Sequence, residues 1–125
     1  IQAGARKKPE RVEGTLSCEL PKTLVKKNDI HITSKRNFDC FQDTELDMLL
    51  KRTLNVKNII ICGVNTDTCV YGTTFGASNR GYNPIVIECC TGSMRGEDQH
   101  KTALTIMSQS IAWVMKKEEI LNKLN

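Results

Sequence analysis

The sequence predicts an α/β domain built on a parallel sheet, and three observations carry that expectation. Short β-branched or apolar runs alternate with stretches of helical spacing. The central run, NIIIC at residues 58–62, is apolar without alternation, as suits a strand buried on both faces of a parallel sheet. The segments between runs are long enough for helical crossovers, which is how parallel strands are joined.

Residues 1–13 are rich in lysine and arginine without hydrophobic period and read as a loop, or as a chain entered partway. DIHIT, residues 29–33, is short and β-branched and follows Pro21 and the Lys26-Lys27-Asn28 run, so a strand is expected to end near Ser34. Thr44 can then cap a helix in which Leu46, Leu49, Leu50 and Leu54 recur at helical spacing opposite Asp47, Lys51 and Arg52. Residues 58–62 make the second strand, ended by Gly63. The next helix is expected over residues 66–80, with Gly81 in the left-handed position past its end. Its Val70, Thr73, Thr74 and Ala77 share one side, and Gly72, Gly76 and Ala77 would let it lie close on the sheet. NPIVIE, residues 83–88, is the third strand, followed by a long helix over 97–113 and a short one over 118–124. The order is β-α-β-α-β-α in a single domain, residues 1–125.

Composition removes several classes of function. A chain of 125 residues with 39% hydrophobic content has the material for one core. The net charge of +4 is spread along the sequence, and with few aromatics no basic stripe with stacking residues forms, so no nucleic-acid partner is expected. No apolar run approaches the ~20 residues of a membrane span and no signal-peptide layout opens the chain, which reads as soluble and cytoplasmic. Cys18, Cys40, Cys62, Cys69, Cys89 and Cys90 contain no C-x-x-C pair, and His31 and His100 lie far from any cysteine at ligand spacing. Neither a disulfide framework nor a metal or other cofactor is expected, and most of these cysteines read as small apolar fillers.

In a parallel α/β sheet, functional residues collect beyond the carboxyl ends of the strands. That rule selects Lys35, residues 65–69 and residues 88–90. Cys69 would stand in the first turn of a helix, where free backbone N–H groups and the helix dipole favour a thiolate. The same N–H groups could take the negative oxygen formed when that thiolate attacks a carbonyl. The plainer alternative is that Cys69 is a packing residue and Lys35 a solvated one.

Two spaced motifs carry a resemblance: K-x-x-F-x-x-F-x-x-T-x-L from Lys35 to Leu46, and I-I-I-C-G-V-N-T-D-T-C-V from Ile59 to Val70. The sequence resembles the isochorismatase-like cysteine hydrolases, a group that includes nicotinamidases, N-carbamoylsarcosine amidohydrolase and ureidoacrylate amidohydrolases. The likeness runs from about Gly14 through GTTFGASNRGY, IVIECCTGS and GEDQHKTAL to Trp113. It implies a three-layer, Rossmann-like fold and a Cys69 nucleophile that attacks a carboxamide or ureido carbonyl, releases an amine or ammonia and leaves a thioester for water to hydrolyse. It further implies Lys35 as the active-site lysine, a cis Val64–Asn65 peptide, and oxyanion donors at the backbones of Asn65 and Cys69. The side chains of Thr66 and Asp67 are expected to cap the helix. Phe38 and Phe41 would line or support a substrate pocket, with Asn37 and Arg36 as polar contacts or simply loop residues. Isochorismate-hydrolysing members lack a cysteine at the nucleophile position, so Cys69 favours amide chemistry.

The resemblance also brings an aspartate at the end of an earlier strand, and nothing between Ile1 and Ser34 matches it. A βαβ unit of about 30 residues or more is expected upstream, with Asp29, Asp39, Asp43 and Asp67 as local candidates to replace its aspartate. Asp39, Cys40 and Cys89 depart from the family's usual residues. The metal of nicotinamidases is held by upstream histidines, and none is assigned here. A small-molecule substrate and a homodimer or homotetramer are family expectations. Two alternatives stand beside the hydrolase: a non-catalytic interaction or scaffold protein of the same fold, and a thiol redox protein using Cys69 or the Cys89-Cys90 pair.

Overall fold

Three parallel strands form the sheet in a computed structural model of the chain, which describes residues 14–125. β1 (Asn58–Val64), β2 (Asn83–Gly92) and β3 (Trp113–Met115) lie in the order β1-β2-β3. Helices α1 (Leu46–Met48), α2 (Tyr71–Asn79), α3 (Glu97–Ser110) and α4 (Lys117–Leu124) supply the crossovers and the C-terminal segment. Two wide helical turns join them: Leu49–Thr53 continues α1, and Thr66–Val70 leads into α2.

The chain divides into two units, Ile1–His31 and Ile32–Asn125. Within the first, the described residues contain a short helical turn at Leu16–Cys18, further turns closed by Leu24 N to the Pro21 carbonyl and Asp29 N to the Lys26 carbonyl, and a local bond from Lys26 N to Asp29 Oδ2 at 2.7 Å. The second holds the sheet, every helix and all the residues of the candidate site.

Its core has two parts. Ile61 and Val86 point from adjacent strands into a cluster with Val70, Ala103, Leu104 and Met107, so α3 and the turn before α2 cover one face of the sheet. Phe41, Ala77 and Tyr82 form the other part, flanked by Leu46, Leu50 and Ile59.

Four expectations are corrected. Residues 29–33 are not a strand: β-branching favours extended backbone, but a strand also needs a neighbour to complete its hydrogen bonds, and among the described residues this run has none. β1 is buried on one face only: Ile61 is buried, while Ile60 and Val64, which alternate to the opposite face, are 46% and 60% exposed. The long helix stops at Ser110, and Trp113, expected to end it, begins the short strand β3, paired through Ile85, Val86 and Ile87. Gly72 and Gly76 face the loop before α1 and not the sheet: a Cβ at Gly72 would stand 3.4 Å from the Phe38–Asp39 backbone, and one at Gly76 would overlap the Asp39 carboxylate.

Candidate active site

The site is built at the carboxyl end of β1. Pairing with β2 passes from Ile61↔Val86 to Gly63↔Thr91, so residues 87–90 stand against Cys62 alone and the ladder is interrupted by a bulge there. Gly63 takes φ +124, a region that a side chain would strain. The Val64–Asn65 peptide bond is cis. Asn65 is extended, and the chain then winds at once into the Thr66–Val70 turn. The Asn65 carbonyl accepts from Thr68 N at 3.1 Å and Val70 N at 3.0 Å, the latter a five-residue closure that passes over Cys69.

Cys69 is half-buried in this turn, a free thiol with no hydrogen-bond partner among the described residues. Lys35 is also half-buried, and among the described residues its ammonium has no carboxylate partner. Ser34 holds the backbone just before Lys35 in place: its hydroxyl donates to Glu45 Oε2 at 2.5 Å and lowers the Glu45 carboxyl below its ordinary range. The loop that follows is docked on α2. Cys40 N donates to Thr73 Oγ1 at 3.1 Å, Thr73 Oγ1 donates to the Phe38 carbonyl at 3.3 Å, and Arg80 pairs with Asp39 at 3.4 Å. Close approach at Gly72 and Gly76 makes this docking possible. The segments carrying Lys35 and Cys69 are thus both tied to one helix.

The other pocket candidates separate. Phe38 is 62% exposed, whereas Phe41 is 4% exposed and stacks on Tyr82 at 5.5 Å, so it supports the site from the core and does not line it. Asn37 is exposed and reaches Asp43 at 3.5 Å; Arg36 donates to the Thr33 carbonyl at 2.7 Å. A shallow groove beside the loop, lined by Asp39, Gln42, Tyr71, Gly72, Phe75 and Gly76, does not include Cys69.

Thr66 and Asp67, expected to cap the helix, are turned to residues 93–100 instead. Thr66 is fully buried and its Oγ1 lies 2.8 Å from His100 Nδ1. Asp67 accepts from Ser93 Oγ at 2.6 Å and pairs with Arg95 at 2.7 Å; the Ser93 hydroxyl, then its own backbone N–H and the Arg95 guanidinium, hold its carboxyl below the usual range. Ser93, Arg95 and His100 escape the sequence reading, the first two because β2 runs four residues past Glu88, to Gly92. With that boundary, the strand-end rule would have selected Ser93 and Arg95; His100, inside α3, carries no such signal.

The aspartates weighed as substitutes are all engaged elsewhere: Asp29 by Lys26 N, Asp39 by Phe41 N and Arg80, Asp43 by Asn37 and Gln42, Asp67 by Ser93 and Arg95. Cys89 and Cys90 have sulfurs 4.0 Å apart; desolvation and then these two neighbours push the Cys62 thiol up, favouring its protonated form. Among the described residues no three His, Cys, Asp or Glu side chains converge to hold a metal.

A parallel three-strand sheet with helical crossovers matches the isochorismatase-like α/β fold. The chain belongs to the isochorismatase family, residues 1–119 matching the Isochorismatase domain. It is 33% identical over 97 residues to an uncharacterized isochorismatase family protein of Escherichia coli O157:H7, a match covering 78% of this chain and 50% of that one. An isochorismatase-like hydrolase from Alkaliphilus metalliredigens superposes with a TM-score of 0.86 at 26% identity, over 94% of this chain and 63% of the other. The nicotinamidase of Staphylococcus aureus gives 0.62 at 35% identity, over 66% and 50%. The chain spans about half the length of the curated relatives it matches. Among the described residues no helix is long and apolar enough to cross a membrane.

Proposed function

We propose that these residues carry the nucleophile and lysine of a hydrolase acting on a small carboxamide or N-carbamoyl compound through a thioester. The observation that supports it most is Cys69 itself: a half-buried, unpartnered thiol in the first helical turn after the cis Val64–Asn65 bond. In this reading the Cys69 thiolate attacks the substrate carbonyl carbon, and the carbonyl electron pair moves to oxygen, facing the N–H groups of Asn65 and Cys69. Collapse of the tetrahedral species breaks the C–N bond; the nitrogen leaves with a proton, and the thioester remains. Water then adds to the thioester and expels the thiolate. Lys35 keeps the thiolate charged and its partners oriented. The acid that protonates the nitrogen is the aspartate that the family resemblance places upstream of the described residues. The enzyme would be cytoplasmic and a homodimer or homotetramer, with no cofactor called for.

The test is ammonia release by the full-length natural protein from a panel of small carboxamides and N-carbamoyl compounds, with intact-mass detection of an acyl group on Cys69. Activity that vanishes in Cys69→Ala, and an acyl adduct on the wild type, are the expected results. Equal ammonia release by Cys69→Ala would overturn the reading. A second reading, a non-catalytic interaction protein of the same fold, draws on the edge of β1, unpaired among the described residues, and on exposed Ile60 and Val64. It would gain from a wild type inert across the panel.

A further inference from the structure

We propose that Asp67 is a positioning residue for the oxyanion-binding turn, holding the backbone around Asn65 and Cys69 in place through Ser93 and Arg95 of the β2–α3 loop. This role rests on the cysteine-hydrolase reading above and names the part of the molecule that keeps its oxyanion donors in shape.

Three consecutive residues, Asn65, Thr66 and Asp67, have side chains that ordinarily cap a helix by bonding its first N–H groups. Here they reach across to another segment. Asn65 stands at the N-cap, yet makes no side-chain cap; its Oδ1 accepts Met94 N at 3.1 Å. Thr66 bonds His100. Asp67 takes Ser93 Oγ on one oxygen at 2.6 Å and Arg95 on the other at 2.7 Å, and Ser93 Oγ also accepts Arg95 N at 3.1 Å. Residues 93–95 are therefore bonded one after another to the turn that follows the cis peptide. The Asn65 side chain being used elsewhere, it does not compete with a ligand oxygen for the N–H groups of its own turn.

The covering of the Asp67 carboxylate fits a brace better than a surface ion pair. The Asp67 side chain is 9% exposed, whereas that of Arg95 is 62% exposed. An exposed pair between two mobile chains contributes little. A buried carboxylate that fixes two donors restricts both segments, and a site that must meet a developing charge is sensitive to small displacements.

A reversible probe separates this role from simple folding. With benzaldehyde, the Cys69 thiolate adds to the carbonyl carbon, the C=O electron pair moves to oxygen, and a solvent proton completes a thiohemiacetal; nothing leaves. Iodoacetamide alkylates the same sulfur without forming an oxyanion. Both are read on the whole chain, by mass mapping of the Cys69 peptide and by titration, with thermal melting as the fold control. Asp67→Asn is expected to weaken the aldehyde adduct about tenfold with much less change in alkylation rate, and Arg95→Lys to retain more adduct affinity than Arg95→Ala. Unchanged aldehyde affinity in folded Asp67→Asn and Arg95→Ala would overturn the positioning role and leave the nucleophile standing. A wild-type Cys69 that forms no adduct and alkylates no faster than exposed Cys18 would overturn the hydrolase reading itself.

Discussion

The two ends of the helical segment running from Thr66 to Asn79 are fixed by different physics. At its C-terminal end the backbone closes locally: Gly81, at φ +81, donates to the Ser78 carbonyl at 3.0 Å, and Tyr82 N donates to the Ala77 carbonyl at 3.1 Å. Apolar packing then takes over, with Phe41 stacked on Tyr82 and the Arg80 guanidinium 5.0 Å from the Phe41 ring centre. At the N-terminal end the partners of Asn65, Thr66 and Asp67 are polar and come from 26 to 34 residues away. One end is a source of stability and the other a source of position.

Truncating the apolar end is the strongest way to break that contrast. Phe41→Ala removes a buried ring from its stack with Tyr82 and should lower the unfolding free energy by about 3–5 kcal/mol, as measured by denaturant titration. Iodoacetamide labelling of Cys69 in the remaining folded fraction supplies the comparison. Loss of labelling in proportion to loss of fold agrees with separable ends; labelling that collapses in a fully folded sample would show the two ends to be one unit.

The polar end should respond the other way. Thr66→Val keeps the volume of a fully buried side chain and removes the oxygen that meets His100 Nδ1. His100 is half-buried and water can reach it in part, so the stability cost should be about 1–2 kcal/mol, less than for Phe41→Ala. The benzaldehyde adduct of Cys69 should weaken more than stability alone accounts for. A variant that melts earlier but binds the aldehyde normally would reduce the Thr66–His100 bond to ordinary packing.

The same contrast explains what the sequence made legible. Gly81 declares its own conformation, since few other residues take that φ, and the helix end was placed within a residue of where it falls. Cys69 lies where its sequence position puts it, in the turn past an apolar strand. Asp67 was misread as a cap because Asp beside a helix start usually is one; its true partners depend on how far β2 extends, and that is set by pairing with β1 across the irregularity at Cys62. Residues 29–33 failed for a related reason. Local preference describes a backbone shape, while strand formation is decided by a neighbour that local sequence does not contain.

Tyr82 offers the smallest effect and the finest test, because its hydroxyl is a polar group set within the apolar anchor. It donates to Asp47 Oδ1 at 2.8 Å, and its pKa is pushed up to about 12, first by burial and then by the Asp47 carboxylate. An unfolded tyrosine titrates near 10. Its folded pKa is therefore the higher one, so the fold gains stability from the neutral phenol that is fully present below about pH 10 and is lost as pH rises toward 12. Tyr82→Phe should cost about 1 kcal/mol at neutral pH and flatten the fall in unfolding free energy between pH 10 and 12. Because this bond lies at the far end of α2 from the nucleophile turn, benzaldehyde binding at Cys69 should follow the wild type at neutral pH. An unflattened alkaline slope would assign that pH dependence to other groups, and a weakened adduct would mean that the anchor also transmits position along the helix.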